Sequence, residues 1–231
     1  MTNKALTKRL LLCLMLLSVS VTTAGNIGFS PQFLQEISDR FGSAARERIE
    51  SWQRLVEEHK DSEEISDIYA VNDFFNQVRF ISDQKHWERN DYWATPVEFL
   101  STNGGDCEDF SIAKYFTLRE LGVPDEKLRI TYVKALELNQ AHMVLAYYET
   151  PESDPLILDN LIKDILSASS RQDLLPVYSF NGTHLWMSKE RGQGRQVAGS
   201  SQRINLWRDL NVRMKQERNL GSSYTADQMT Q

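Results

Sequence analysis

The spacing of the hydrophobic residues changes partway along the chain, and that change restricts the fold to helices followed by an antiparallel sheet. Phe33, Leu34 and Ile37 repeat at helical spacing, as do Ile49, Trp52, Leu55 and Val56, and then Ile68, Val71, Phe74, Phe75 and Val78. The span from Pro31 to about Trp87 is therefore expected to be helical, with these stripes as core faces. Beyond Leu128 the pattern alternates. Leu128 to Ala135 and Ala141 to Tyr148 read as strands joined by a turn at Glu137-Leu138-Asn139-Gln140, and Leu156-Ile157-Leu158 reads as a short third strand. Val177 to Phe180 and His184 to Met187 form an expected hairpin around Asn181-Gly182. Helices followed by strands define an α+β fold.

Between the two halves lies Thr95-Pro96-Val97-Glu98, which has the form of a capping box with proline in the first turn. Gly104 and Gly105 break the chain, and a helix is expected from about Cys107 to Leu121. Phe110, Ala113, Leu118 and Leu121 give it one buried stripe, and Gly122 and Pro124 end it. Arg191 to Ser201, rich in Gly, Ser, Gln and Arg, reads as a loop. Ile204 to Arg218 reads as a last helix, and the chain from Gly221 as a loose tail. The expected layout is a helical part over about 31–122, a sheet part over about 128–190, and a C-terminal helix and tail over about 204–231.

The first 24 residues look like a secretory signal peptide. Lys4, Lys8 and Arg9 precede the apolar run Leu10 to Val19, and small residues follow at Thr22, Thr23 and Ala24. That run is shorter than the ~18 apolar residues of a membrane helix, so an exported protein with no direct membrane insertion is expected. Cys13 follows the basic residues after only three leucines and does not read as a lipoprotein anchor. Removing residues 1–24 takes away three basic residues and no acidic one, moving the net charge from −6 to −9. An acidic chain of this kind is a poor partner for nucleic acid. Residues 25–231 are enough for one domain with a sizeable core. Cys107 is then the lone cysteine, and an internal disulfide is excluded.

A cysteine at a helix start meets unpaired backbone N–H groups and the positive end of the helix dipole, both of which favour a thiolate. Taken alone, a single cysteine also suits an inert buried thiol. A nucleophile needs a base. His59 and His86 lie in charge-rich helical segments and suit solvated faces, leaving His184 and His142. Strand alternation groups His142 with Val144 and Ala146, and a histidine on the core face of a strand needs a partner. Asp159, immediately after Leu156-Ile157-Leu158, can be placed beside it by antiparallel pairing. Cys107, His142 and Asp159 then form nucleophile, base and orienting acid. A core histidine satisfied by a carboxylate is the alternative.

This ordered set resembles the bacterial transglutaminase-like cysteine proteinases. The likeness lies in Gly105-Asp106-Cys107-Glu108-Asp109-Phe110 opening a helix, His142 in a strand and Leu158-Asp159-Asn160 ending the next. It extends to Trp93-Ala94-Thr95-Pro96 and to Pro176-Val177-Tyr178-Ser179-Phe180-Asn181. The resemblance implies a papain-like, transglutaminase-like cysteine peptidase fold, a triad of Cys107, His142 and Asp159, and a requirement for calcium. It also implies a periplasmic protease that cuts the N-terminal region of a large surface adhesin after an alanine pair, so that the biofilm disperses. The implied inhibitor is an inner-membrane cyclic di-GMP receptor whose periplasmic domain sequesters the protease.

The acidic run around Cys107 poses an electrostatic problem. Two unit charges about 4 Å apart interact by ~4 kcal/mol at an effective dielectric of 20, more than the ~2 kcal/mol at most that a helix terminus supplies. A hard cation would reverse the sign. Oxygen ligands suit calcium, whereas zinc would compete for the cysteine and histidine. The resemblance makes Asp106 and Glu108 calcium ligands, with Asp109 as a third candidate. The residues alone also fit plain capping, with Asp106 as N-cap and Glu108 and Asp109 complementing the dipole. The spacing does not match an EF-hand. A transglutaminase-type acyl transferase and a non-catalytic binding module with an inert triad are the competing functions.

Overall fold

The computed structural model describes residues 27–188 and 195–226; the expected signal peptide lies outside them. Ser30 starts the first helix, α1 (Pro31–Phe41), by accepting from the Phe33 N–H at 3.1 Å, and Gly42 ends it at φ 89°. Then follow α2 (Ser43–His59) and α3 (Glu64–Phe75), whose apolar stripes face inward as their spacing requires. The helical span is interrupted before Trp87. A two-residue strand, β1 (Arg79–Phe80), precedes the one-turn helix α4 (Asp83–His86), because β1 pairs in parallel with β2 (Gly104–Gly105).

Between those strands, α5 (Pro96–Thr102) carries the expected capping box. Thr95 accepts from Glu98 N–H at 3.1 Å and Glu98 accepts from Thr95 N–H at 2.8 Å. Asn103 closes α5 in the left-handed region at φ 52°. Helix α6 (Cys107–Glu120) follows β2 directly. It is the central helix of the molecule, with Phe110, Ile112, Ala113 and Leu118 buried among the other helices and the sheet. Trp52 of α2 donates its indole N–H to Thr117 of α6 at 2.8 Å.

One seven-stranded sheet comprises β3 (Leu128–Ala135), β4 (Gln140–Tyr147), β5 (Leu156–Leu158), β6 (Leu166–Ser167), β7 (Leu174–Phe180), β8 (His184–Ser188) and β9 (Arg195–Ser200). Its order is β6-β5-β4-β3-β7-β8-β9, with every neighbouring pair antiparallel. This is the α+β arrangement expected from the change of period. Met143, Leu145 and Tyr147 face the helices, whereas Val133, Val144, Ala146, Tyr148 and Ile157 form a smaller cluster on the opposite face.

Two further expectations need correction. Part of the supposed loop from Arg191 to Ser201 is strand β9, held by backbone pairing to β8 through a register that includes Trp186 opposite Val197. An edge strand stabilised by main-chain hydrogen bonds leaves little mark on composition. The final helix, α7 (Asn205–Ala226), also runs past Arg218 and through the start of the supposed tail. It anchors itself through Trp207 and Leu210, both buried. No helix among the described residues is long and apolar enough to cross a membrane.

Candidate active site

The start of α6 is set by close packing at the glycines before it. A Cβ on Gly105 would overlap the Asp109 carboxylate and approach Phe99 to 2.7 Å, so only glycine lets the chain enter the helix this close to its own first turn. Cys107 is the first residue of α6 and is partly exposed. Strand β5 pairs with β4 only from Leu145 to Tyr147, which leaves the beginning of β4 free on that side. Cys107 lies near this free edge, where the Met143 N–H favours the thiolate.

His142 and Cys107 line one cleft of about 420 Å³, together with Tyr132, Tyr178 and Trp93. Of the four histidines, only His142 lines it. His59 bonds Ser62 and Asp67, His86 meets the Thr102 hydroxyl at 2.9 Å, and His184 meets Thr183 at 2.7 Å. His142 shares its strand face with Val144 and Ala146, as alternation requires, and its Nε2 lies 2.8 Å from Asp159 Oδ1. Asp159 Oδ1 also accepts from the N–H groups of Asn160 at 2.6 Å and Leu161 at 3.0 Å, while Oδ2 accepts from Arg171 at 2.8 Å. Burial alone would raise the Asp159 carboxyl. The His142 bond and charge, the Leu161 N–H and Arg171 prevail and hold it at about 2. An ionised carboxylate only accepts, so His142 carries its proton on Nε2 and presents Nδ1 as the basic nitrogen.

The Asp159 main chain is fixed as firmly as its side chain. Its carbonyl accepts from Asn76 Nδ2 at 2.9 Å and from Lys114 Nζ at 3.1 Å. Lys114, on α6 and fully buried, also donates to the side-chain oxygens of Asn72 and Asn76, each at 2.9 Å. These contacts join the helix that carries the cysteine to the strand end that carries the acid.

The carboxylates beside the cysteine act against it in the absence of a cation. The Cys107 thiol donates to Glu108 Oε2 at 3.0 Å. Burial, followed by the charge of Glu108 and then that of Asp106, raises the thiol well above its ordinary value. Asp83 and Asp91 join the acidic group from outside the run. Carboxylate oxygens of Asp83, Asp106 and Asp109 lie within 4.8 Å of one another, as do those of Asp83, Asp91 and Glu108. Burial, and next the neighbouring Asp106, lift Asp83 to about 6, while burial, and next Glu108, lift Asp106 to about 8.

Oδ1 of Asp83 and Oδ1 of Asp106 are buried without a hydrogen-bond partner. Orphaned hard oxygens in a mutually repelling group suit a divalent, oxygen-preferring cation such as calcium. Asp109 is placed differently from Asp106 and Glu108. It is fully buried, and its oxygens accept from the N–H groups of Ala94 at 2.7 Å and Asp106 at 3.2 Å. It can meet a cation only with the lone pairs left over. Sequence reading missed Asp83 and Asp91, which are brought in by the β1–β2 pairing and the segment after α4; no spacing signal marks them.

The model for the bacterial transglutaminase-like cysteine proteinases matches residues 41–190. Among curated proteins, none matched the chain. A solved structure of Legionella pneumophila LapG after EGTA treatment is 46% identical, covering 78% of this chain and 97% of that one, with a TM-score of 0.68. Calcium-bound Legionella pneumophila LapG is 45% identical, covering 79% and 98% respectively, also with a TM-score of 0.68. The family match spans the helix start at Cys107, the strand of His142 and the turn at Asp159, and the chain belongs to the bacterial transglutaminase-like cysteine proteinases.

Proposed function

We propose that this protein is a periplasmic, calcium-dependent cysteine endopeptidase that cuts the N-terminal region of a large surface adhesin after an alanine pair, releasing the adhesin and promoting biofilm dispersal. The observation that carries the catalytic part is the placement of Cys107 and His142 on one cleft, with Asp159 bonded to the far nitrogen of the imidazole at 2.8 Å. In this reading the Cys107 proton moves to His142 Nδ1 and the sulfur attacks the carbonyl carbon of the scissile bond. The imidazolium returns the proton to the departing amine, and water then hydrolyses the thioester and regenerates the thiol. The Met143 N–H favours the thiolate, and Asp159 keeps the ring in the required tautomer.

Asp106 and Glu108, with Asp83 and Asp91, are the residues that would hold calcium; when bound, the ion supplies positive charge where the carboxylates otherwise oppose a thiolate. The likeness to calcium-bound Legionella pneumophila LapG supports that assignment. Family resemblance supports the adhesin as substrate and the periplasmic domain of a cyclic di-GMP receptor as inhibitor. The apolar run before residue 25 supports export.

The test is incubation of the protein with adhesin N-terminal fragments and an amine donor, with calcium or with chelator, followed by mass spectrometry of new ends and adducts. Cleavage that needs calcium and disappears in Cys107→Ser is expected. Covalent amine adducts without new ends would identify acyl transfer instead. Absence of both products, with an unreactive Cys107, would leave a binding module.

A further inference from the structure

Asp159 is not held by its catalytic partner alone. Its side chain has no solvent exposure, and among the described residues Arg171 is the single partner of Oδ2, at 2.8 Å. Arg171 is itself buried, with 3% exposure, and sits just beyond a short 3₁₀ turn (Ala168–Ser170) that follows strand β6. Its guanidinium forks onto Asp173, with Nε 3.0 Å from Oδ1 and Nη2 2.9 Å from Oδ2. Asp173 retains 26% side-chain exposure. A line of contacts therefore runs from the surface inward, through Asp173, Arg171, Asp159 and His142, to the cleft of Cys107.

Resting on the triad assigned above, we propose that Arg171 is a positioning residue: it holds the Asp159 carboxylate in the orientation that presents Oδ1 to His142 and, balanced by Asp173, sets how much of that carboxylate's charge the imidazole receives. Three features support this over a purely structural ion pair. Arg171 engages the acid oxygen that His142 does not use, so it fixes rotation of the carboxylate about its last bond. It places a permanent cation beyond the acid, opposing the attraction that would keep a proton on His142. Asp173 shares the same guanidinium and moderates that opposition from its partly exposed position. The other charged or titratable groups that share the cleft with His142 are Asp91, Asp106, Cys107, Glu108, Tyr132 and Tyr178, and Lys114 meets the pair at the Asp159 carbonyl.

The proposal predicts shifts of opposite sign from its two ends. The His142 ring would be titrated by NMR in calcium-saturated protein, assigned by its loss in His142→Gln, alongside cleavage of a peptide containing an Ala-Ala bond. In Arg171→Gln, which keeps a donor but loses the charge, His142 should titrate higher by about one unit, as expected for an ion within ~4–6 Å. Its kcat should fall about tenfold or more with KM within about twofold, the pattern of lost positioning at the reacting groups. Arg171→Lys should restore the titration and part of kcat. Asp173→Asn keeps an acceptor for Arg171 but removes the moderating charge, so His142 should titrate lower. If Arg171→Gln fails to fold, the Asp173→Asn shift decides the question. Unchanged His142 titration in Asp173→Asn and in any folded Arg171→Gln overturns the role. Asp159→Asn in the same peptide assay separates the two levels. If that variant is fully active, the triad itself is wrong; if it is inactive while the Arg171 and Asp173 variants behave like the parent, only the role of Arg171 is lost.

Discussion

Asp106, Glu108 and Asp109 adjoin one another around a single cysteine, yet their surroundings give them different tasks. Asp109 is the helix-start residue that capping predicts: its oxygens satisfy the N–H groups of Ala94 and Asp106. Truncating it leaves two donors without their partner, at about 1–3 kcal/mol each. Asp109→Ala should therefore lower unfolding free energy by about 2–6 kcal/mol, in calcium and in chelator alike. Asp106 already favours its protonated form at neutral pH, being lifted to about 8 by burial and then by Glu108. Neutralising Asp106 and Glu108 together removes repulsion and little else. Asp106→Asn with Glu108→Gln should raise apo stability at neutral pH, because it removes an acid that folding lifts above its unfolded value, while abolishing calcium binding in calorimetry. A double variant that still binds calcium as tightly as the parent would return both residues to capping. Sequence alone set Asp109 apart only as a third candidate, because adjacency does not say which oxygens a fold turns toward its own backbone.

At the scale of elements, α6 has a glycine at each end, and the two differ in what surrounds them. A Cβ on Gly105 meets the Asp109 carboxylate and Phe99, whereas one on Gly122, at φ 94°, meets nothing within 4 Å. Gly105→Ala should cost about 1–3 kcal/mol through overpacking and reduce cleavage, because the first turn that carries Cys107 must move. Gly122→Ala should cost about 1–2 kcal/mol through backbone strain and leave turnover per folded molecule intact. Equal activity losses in the two would show that cleavage does not depend on the entry to α6.

This helix was legible in the sequence at both boundaries, since the glycine break, the apolar stripe and the Gly122–Pro124 stop are local signals. The same holds for the β3–β4 and β7–β8 hairpins, the capping box at Thr95, and the pairing of His142 with Asp159, which followed from period-two alternation and one antiparallel neighbour. What escaped was non-local or short. The two-residue strands β1 and β2 carry no period, and edge strand β9, in a segment rich in Gly, Ser, Gln and Arg, is held through backbone bonds. Asp83 reaches Asp106 from 23 residues away, through its own N–H to Oδ2 at 3.4 Å. Nothing in the spacing of Arg171 and Lys114 shows that they end beside a buried carboxylate.

Across the whole molecule, the acidic group brings together parts of the chain whose stability then depends on protons and, under the function proposed above, on calcium. Asp83 comes from α4, Asp91 from the segment before α5, and Asp106 and Glu108 from the start of α6. An unfolded aspartate titrates near about 4, whereas Asp83 and Asp106 in the fold are lifted to about 6 and about 8. Between those values the folded state binds more protons than the unfolded one, so metal-free stability must fall as pH rises through that window. Asp159 works in the other direction at lower pH. Held at about 2, it contributes stability that is present above its unfolded value and lost as pH falls toward 2. The chelator-treated protein should accordingly melt highest in the weakly acidic range and progressively lower from about pH 5 to pH 8. Calcium requires the deprotonated carboxylates, so its affinity, and with it the stabilisation by preferential binding to the folded state, should grow over the same interval. Melting curves at matched pH in calcium and in chelator should diverge as pH rises, with magnesium giving a smaller separation because it loses its hydration water reluctantly. Parallel curves would mean that Asp83 and Asp106 do not release protons to the ion, and a zero separation at every pH would remove calcium from this site altogether.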